Sequence, residues 1–286
     1  MPFIGLMALL VSFVTVGAFT PGTVDHAVPT PTIAVSTHGE CRPDPFSGDV
    51  AHELAARYPG KQITAHVYDA RTGCEYSLNP NNRQSTASVF KVMVMAGTLL
   101  EAQRDGRDLT DWEMSQLTPM ITRSANSPVR ALWRAFGASP WFVDQGQMFG
   151  LDETSIRADR GAAWGGTRTS ASDQVDLLRQ VLLGEWGPLN ESSRQTAFAL
   201  MTSVVPEQTW GVSAGVPDSW TVAQKNGFAG SRINSVGWIH KPDDDPGYVV
   251  VILTNGWPNH RSGIAAVEQI NFLVADAMID RIRNVE

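Results

Sequence analysis

Apolar positions along the chain change their spacing several times, and each change predicts a different element. Residues 3–19 form one nearly unbroken apolar run. Residues 50–58 have helical spacing that stops at Pro59-Gly60, which predicts a short helix. In residues 63–68 apolar and polar positions alternate, as in a strand. Turn-forming residues follow, and residues 74–78 are predicted to be the hairpin partner of that strand.

The middle of the chain has helical spacing from about residue 88 to about residue 183, with a break or a new helix start at Pro128. Residues 89–100 are apolar on nearly every side, which predicts a central, buried helix. Strand patterns return at 221–225, 233–239 and 248–253, and a helical pattern follows at 264–282.

The order of these elements predicts the fold class. Strands lie towards both ends of the chain and helices fill the middle, so the two end segments are expected to pair in one antiparallel sheet. The expected fold is therefore α/β, with an antiparallel sheet flanked by helices and an inserted all-helical lobe. A crevice between sheet and lobe would be a natural ligand site.

Composition limits the class of protein and its partners. The chain has 286 residues, of which 43% are hydrophobic, so it can bury a substantial core. The formal net charge is −7, which argues against nucleic acid and anionic membranes as main partners. Its two cysteines, Cys41 and Cys74, exclude a disulfide-rich scaffold and a zinc site of four thiolates.

The first 41 residues contain no Lys or Arg and are interpreted separately. Residues 1–18 resemble an export signal that ends in the small residues Val16-Gly17-Ala18, although no basic residue precedes the apolar run. Residues 19–46 are predicted to be a Pro/Thr-rich tether. The expected location is secreted or in the cell envelope, and an uncleaved run would be a marginal membrane anchor. A misassigned start or a buried N-terminal helix is the alternative.

Export would change the expectation for the cysteines. In an exported protein Cys41 and Cys74 can form one disulfide that ties the tether to the domain. Two buried, unpaired thiols are the alternative.

The first candidate for chemistry is Ser88, with Lys91 three positions later. Residues at i and i+3 lie on one face of a helix, and a serine in the first turn sits where the helix dipole favours negative charge. A lysine inside an apolar helix is desolvated, which lowers its pKa. Neutral lysine can then take the proton of the serine hydroxyl and produce a nucleophile. The motif alone also fits an ordinary helix start with a solvated lysine.

Two further candidates follow along the chain. Ser124 and Asn126 lie two positions apart near the end of a helical stretch, where capping chemistry is the plain alternative. Lys225 ends a predicted strand and precedes Asn226-Gly227. A strand lysine can bind a carboxylate, and Gly227 would allow the backbone N–H of Phe228 to approach an oxyanion. A tight turn is the alternative there.

Together and in this order, the three motifs resemble the S-x-x-K, S-D-N and K-T-G signature of class A β-lactamases and penicillin-binding proteins. The resemblance covers about residues 46–286 and agrees with the predicted layout of sheet and helical lobe. It implies one β-lactamase-like domain over 47–286, divided into a sheet lobe (47–84 and 203–286) and a helical lobe (85–202).

The resemblance also implies a role for each residue. Ser88 would be the acylated nucleophile, and Lys91 would be its base or the group that deprotonates one. Ser124 would relay a proton to the leaving nitrogen, and Asn126 would bind the substrate amide. Lys225 would hold both Ser124 and a substrate carboxylate.

The remaining positions contain both matches and departures. The N–H groups of Ser88 and Phe228 would form the oxyanion hole, with Gly227 permitting access. Ala125 replaces the aspartate of S-D-N. Asn226 replaces the hydroxyl residue of K-T-G, so its contact with the substrate carboxylate is expected to be altered.

The acid that activates the deacylating water in class A enzymes has no counterpart in the sequence. No E-x-x-L-N motif occurs between Phe149 and Trp164. The nearest acids, Asp152, Glu153 and Asp159, lack that context. The expected enzyme is therefore a serine acyltransferase or hydrolase whose acyl-enzyme, formed with a β-lactam or D-Ala-type amide, is long-lived.

Other interpretations remain open at this point. Residues 211–215 fit the G-x-S-x-G motif of another hydrolase fold, but prolines flank them closely. A β-lactamase-fold binding protein of the cell envelope with a decayed site would explain Ala125, Asn226 and the missing acid. The sequence predicts no metal and no cofactor, since its six histidines are scattered. The expected partner is a small, carboxylate-bearing molecule, and the protein is expected to be a monomer that binds no nucleic acid.

Overall fold

A five-stranded sheet lies at the centre of the computed structural model, which describes residues 39–156, 163–242 and 245–279. The signal-like segment 1–18 and most of the tether 19–46 lie outside these ranges. The strands are β1 Gln62–Asp69, β2 Glu75–Leu78, β3 Gln84–Ser85, β4 Arg168–Thr169, β5 Thr221–Ala229, β6 Arg232–Lys241 and β7 Asp245–Asn255. The helices are α1 Gly48–Arg57, α2 Phe90–Arg104, α3 Asp111–Thr122, α4 Ser127–Ala135, α5 Ser139–Met148, α6 Ala171–Leu178, α7 Glu191–Thr202 and α8 His260–Met278.

The main sheet joins the two ends of the domain. Its strand order is β2-β1-β7-β6-β5, and every neighbouring pair is antiparallel. β1, from the N-terminal part, pairs along its full length with β7, from the C-terminal part. The predicted fold class is confirmed, because the helices between β2 and β5 interrupt one sheet.

The sheet is buried on both faces, so its central strand β7 is apolar without interruption from Tyr248 to Leu253. In β7, Val249, Val251 and Leu253 face one hydrophobic core, which contains α2 and α6. Tyr248, Val250 and Ile252 face the second core, which contains α1 and α8. α6 packs directly on β1 and β7, although the sequence places it in the helical lobe.

Helix α2 is the central helix that its apolar pattern predicts. Every residue from Phe90 to Leu100 is buried. It packs against α3, α5 and α7, so nearly all of its circumference faces other helices or the sheet. This environment explains why a lysine at position 91 has no access to solvent.

The helical stretch predicted over 117–136 is present as two helices, α3 and α4, with a short connection between them. The break or new helix start predicted at Pro128 is confirmed, whereas α3 begins six residues earlier than the pattern predicts. α3 begins earlier because Thr110 and Glu113 form a capping box at its start. Pro128 lies in the first turn of α4, where a proline costs no hydrogen bond.

The segment before α1 is fixed to the sheet covalently. A disulfide joins Cys41 to Cys74, across 33 positions, so these cysteines are paired and are not two unpaired thiols. Asp69, at the end of β1, adds ion pairs with Arg71 at 2.6 Å and with Arg42 at 3.6 Å. Within the described ranges, no helix has both the length and the apolar character that a membrane span requires.

Candidate active site

Ser88 lies in a single 3₁₀ turn, Ala87–Val89, that leads directly into α2. Ala87 has φ +46°, an uncommon conformation for a residue with a side chain, so the surrounding structure must hold this turn. The buried Asn234 does so from β6, because its Nδ2 donates to Thr86 O at 3.0 Å. The nucleophile candidate is therefore placed by the sheet as well as by the helix.

Lys91 connects the first two motifs. Its side chain is 0% exposed, and its Nζ lies 3.0 Å from Ser88 Oγ and 3.1 Å from Ser124 Oγ. The same Nζ lies 2.5 Å from Ser124 O and 2.8 Å from Asn126 Oδ1. A neutral amine has two N–H groups and one lone pair, so it can donate to those two oxygens while it accepts from the Ser88 hydroxyl.

Burial lowers the pKa of Lys91 from its ordinary value to about 7. Burial has this effect because it disfavours the charged ammonium form. The indole of Trp164 contributes to the apolar surroundings, with its ring centre 5.2 Å from Lys91 Nζ. Trp164 is itself held by stacking on Phe90, at 6.0 Å between ring centres.

Ser124 lies between α3 and α4 and has φ +56°. Two lysines contact its hydroxyl. Lys225 Nζ lies 2.9 Å from Ser124 Oγ, in addition to the contact made by Lys91. Lys225 is 1% exposed. Burial first and the charge of Lys91 second lower the pKa of Lys225 well below its ordinary value.

The end of β5 lies directly against the nucleophile turn. A Cβ at Gly227 would lie 2.8 Å from Ser88 N and 2.9 Å from Val89 N, so only glycine fits. Phe228 follows it, with 52% of its side chain exposed. Its ring lies 4.2 Å from that of His260, at the start of α8. The structure thus brings together all the predicted motifs at one place.

Asn226 does not fit the contact predicted for it. The side chain is 2% exposed, and both N–H groups of its amide are used inside the protein, on Gln208 O at 2.7 Å and Trp210 O at 2.9 Å. Its Oδ1 accepts from Ser235 Oγ at 2.5 Å. No donor remains for a substrate carboxylate, so this residue holds the segment before β5 instead.

The acids near residue 153 belong to a different cluster. Glu153 N–H donates to Asp173 Oδ2 at 3.0 Å, and Thr154 Oγ1 donates to the same oxygen at 2.6 Å. Asp159 lies outside the described ranges. Among the described residues, no carboxylate forms a hydrogen bond or ion pair with Lys91 or Lys225.

Neither alternative chemistry has a structural basis in the described parts of the chain. Residues 211–215 form turns that lead into strand β5, whereas a G-x-S-x-G nucleophile needs a strand before it and a helix after it. No three His, Cys, Asp or Glu side chains of the described residues are grouped so that they could hold a metal ion.

Comparison with known proteins agrees with this geometry. The model of the β-lactamase enzyme family matches residues 49–115 and 114–278. No curated protein matches the chain.

Solved structures give the same fold at low sequence identity. PBP-A is 18% identical, with a TM-score of 0.71 over 83% of this chain and 98% of its own. A PBP-A mutant, solved as its acyl-enzyme complex with penicillin G, is 20% identical, with a TM-score of 0.69 over 79% of this chain and 93% of its own. An ancestral class A β-lactamase is 20% identical, with a TM-score of 0.70 over 80% and 99%.

The family match covers most of the chain, and the fold of class A β-lactamases surrounds the three motifs. The chain belongs to the β-lactamase enzyme family and is a serine hydrolase of that superfamily.

Proposed function

We propose that the protein forms an acyl-enzyme on Ser88 with a β-lactam or a D-Ala-type amide and that it releases the acyl group slowly. One observation carries the proposal: a buried lysine amine, with its pKa lowered to about 7, lies 3.0 Å from the Ser88 hydroxyl. A general base is most effective when its pKa is near the working pH.

Acylation follows from the contacts in the site. The neutral amine of Lys91 takes the proton of Ser88, and Oγ attacks the carbonyl carbon of the amide. The carbonyl oxygen becomes an oxyanion, which the N–H groups of Ser88 and Phe228 stabilise. When the C–N bond breaks, Ser124 gives its proton to the leaving nitrogen and regains one from the Lys91 ammonium, which returns to its neutral form.

Three side chains around the nucleophile suit the predicted substrate. The amine of Lys225 lies 2.9 Å from Ser124 Oγ, and its ammonium form would attract a substrate carboxylate. Asn126 is exposed, its Oδ1 is used by Lys91, and its N–H groups can donate to an amide carbonyl of the substrate. Phe228 and His260 form an exposed aromatic pair against which an apolar substituent can pack.

Slow release of the acyl group is proposed because the described site contains no acid that could activate water. The side of Lys91 that Trp164 covers is apolar. Lys91 would then have to serve as the base for deacylation too, and it would do so beside an indole that excludes water. The fold shared with a PBP-A mutant whose acyl-enzyme with penicillin G was captured supports this view.

The decisive experiment is the intact mass of the protein after incubation with penicillin G. We expect a gain of one penicillin molecule, because opening of the lactam ring loses no atoms, and we expect the adduct to persist for hours. Ser88→Ala is expected to gain nothing. Ser213→Ala, which changes the serine of the G-x-S-x-G segment, is the matched control and is expected to react like the unmodified protein.

The other outcomes have clear meanings. An adduct on Ser88→Ala would overturn the nucleophile assignment, and rapid turnover without an adduct would overturn slow release. If lactam, peptide and ester substrates give neither an adduct nor turnover, and penicillin G binds reversibly, a decayed binding protein would be favoured.

We further propose that the protein is exported and monomeric. The Cys41–Cys74 disulfide supports export, since such bonds persist mainly in oxidising compartments. Expression of the full chain, followed by cell fractionation and N-terminal sequencing, tests this, with cleavage after Ala18 expected. Recovery of the intact chain in the cytosol would contradict export, and light scattering of the purified protein tests the monomer.

A further inference from the structure

A polar cavity of about 410 Å³ lies apart from the active site, where the start of β1 meets the β3–β4 pair. None of its lining residues belongs to the S-x-x-K, S-x-N or K-x-G motifs. Three of them are cationic and four carry side-chain amides: Lys61, Arg83, Arg168, Gln62, Asn79, Asn82 and Gln84. The lining contains no Asp or Glu, although acidic residues outnumber basic ones in the chain, 29 to 22.

The three cations are bonded only to neutral oxygens. Lys61 Nζ donates to Gly256 O at 2.7 Å. Arg83 donates to the hydroxyl of Ser155, and Arg168 donates to the carbonyl of Arg83. In the described ranges none of the three forms an ion pair with a carboxylate. Their positive charge is therefore not neutralised by the protein and acts on whatever occupies the cavity.

Gln84 adds a neutral hydrogen-bonding group to the lining. Its residue is 5% exposed, and β3 fixes its backbone by pairing it with Thr169 of β4. Its side-chain amide lines the cavity but has no hydrogen-bond partner among the described residues. Because this amide faces the cavity, it can form a hydrogen bond with a ligand without breaking a bond inside the protein.

We propose that this cavity binds the phosphate group of a phosphate ester. Two guanidinium groups and one ammonium suit a doubly charged oxyanion with several acceptor oxygens, because arginine can form bidentate hydrogen bonds with phosphate. The volume lies within the range of small-molecule sites, so it accommodates the phosphate and a small alcohol or sugar attached to it. The site does not depend on acylation of Ser88.

Calorimetric titration of the purified full chain with inorganic phosphate, glycerol 3-phosphate and glycerophosphoglycerol tests the proposal. Binding of at least the monoester is expected, and its affinity should fall as salt is added. A preference for the monoester would indicate a small phosphorylated molecule, and a preference for the diester would indicate a phosphodiester polymer. Absence of binding at millimolar concentrations of all three would overturn the proposal, and so would equal affinity for succinate.

Variants locate the site. Arg83→Gln with Arg168→Gln should weaken binding at least tenfold, and Gln84→Leu, which removes only the amide, should weaken it severalfold. Arg130→Gln with Arg134→Gln removes the same charge from the exposed face of α4 and should leave the affinity within twofold. Equal loss in both double variants would assign binding to overall charge and overturn the site. Thermal unfolding of each variant identifies any loss of fold.

Discussion

Two parts of the protein that hold buried basic side chains surround them in different ways. In the active site, the hydrogen-bond partners of Lys91 and Lys225 are hydroxyl, amide and carbonyl oxygens. Near the start of the π-helical turn Arg179–Leu183, the guanidinium of Arg179 is surrounded by acids and aromatic rings. Comparison of the two places shows what makes a buried cation reactive.

Arg179 is neutralised from several sides. It forms ion pairs with Glu185 at 2.7 Å and with Glu75 at 3.1 Å. Its guanidinium lies 3.7 Å from the ring centre of Tyr68 and 4.2 Å from that of Trp186. The paired acids and the rings stabilise the charged form, so this cation has a structural role.

The two lysines have no carboxylate partner among the described residues, although the Trp164 ring lies beside Lys91. Burial therefore acts on their pKa values with no acid opposing it, and Lys91 can exchange a proton near neutral pH. The difference between the two places is that no described carboxylate pairs with the lysines, and this allows a neutral amine to act as a base.

The largest effect is expected from removal of the base. Lys91→Met keeps the length of the side chain but cannot take the Ser88 proton, so the rate of acylation by penicillin G should fall about a thousandfold or more. Quenched-flow mixing followed by intact-mass spectrometry measures this rate. Lys61→Met removes a lysine outside the site and should leave the rate unchanged. A rate within tenfold of the original for Lys91→Met would show that another group is the base.

The pH dependence of acylation should report the lowered pKa of Lys91. Only the neutral amine can act as base, so the rate should rise with pH through about 7 and level off above it. Trp164→Ala admits water to Lys91, raises its pKa and should move the midpoint to higher pH by about one unit, so that the rate at pH 7 falls roughly fivefold.

Trp186→Ala is the control for that shift, since this indole packs on Arg179 and is 62% exposed. Its pH profile should match that of the unmodified protein. An unchanged midpoint in Trp164→Ala would mean that the indole does not set the pKa of the base.

A smaller effect is expected at the exposed ring of Phe228. Phe228→Ala keeps the backbone N–H but removes the aromatic surface next to His260. The acylation rate for lactams with an apolar substituent should fall severalfold, while that for the smallest lactams should change less. Equal effects on all lactams would assign the ring to the fold rather than to substrate selection.

The smallest effect on acylation should come from the structural cation. Arg179→Gln leaves Glu185 without its ion pair, so the free energy of unfolding should fall by about 2 kcal/mol. The acylation rate and its pH profile should stay the same. Unfolding by denaturant measures the change in the free energy of unfolding. A shifted pH profile would show that Arg179 and Lys91 are coupled.

The sequence predicts the sheet, the central helix and the grouping of the three motifs, because each depends on apolar spacing or on the order of a few residues. It could not reveal that Trp164 covers Lys91, since the two are brought together by packing across 73 positions of chain. The buried role of Asn226 was missed for the same reason, because its partners lie in the irregular segment around Gln208 and Trp210. The positive φ angles of Ala87 and Ser124 leave no signal in residue type.

The disulfide has a consequence for how the protein presents its cleft. Cys74 lies beside β2, at the strand ends marked by Asp69, whereas Gly227 and Phe228 lie on β5 at the opposite edge and the opposite strand ends. The polypeptide therefore enters the domain through Cys41 at the corner diagonal to the nucleophile. This covalent link fixes the first described residues at the end of the sheet remote from Ser88, away from the entrance to the cleft.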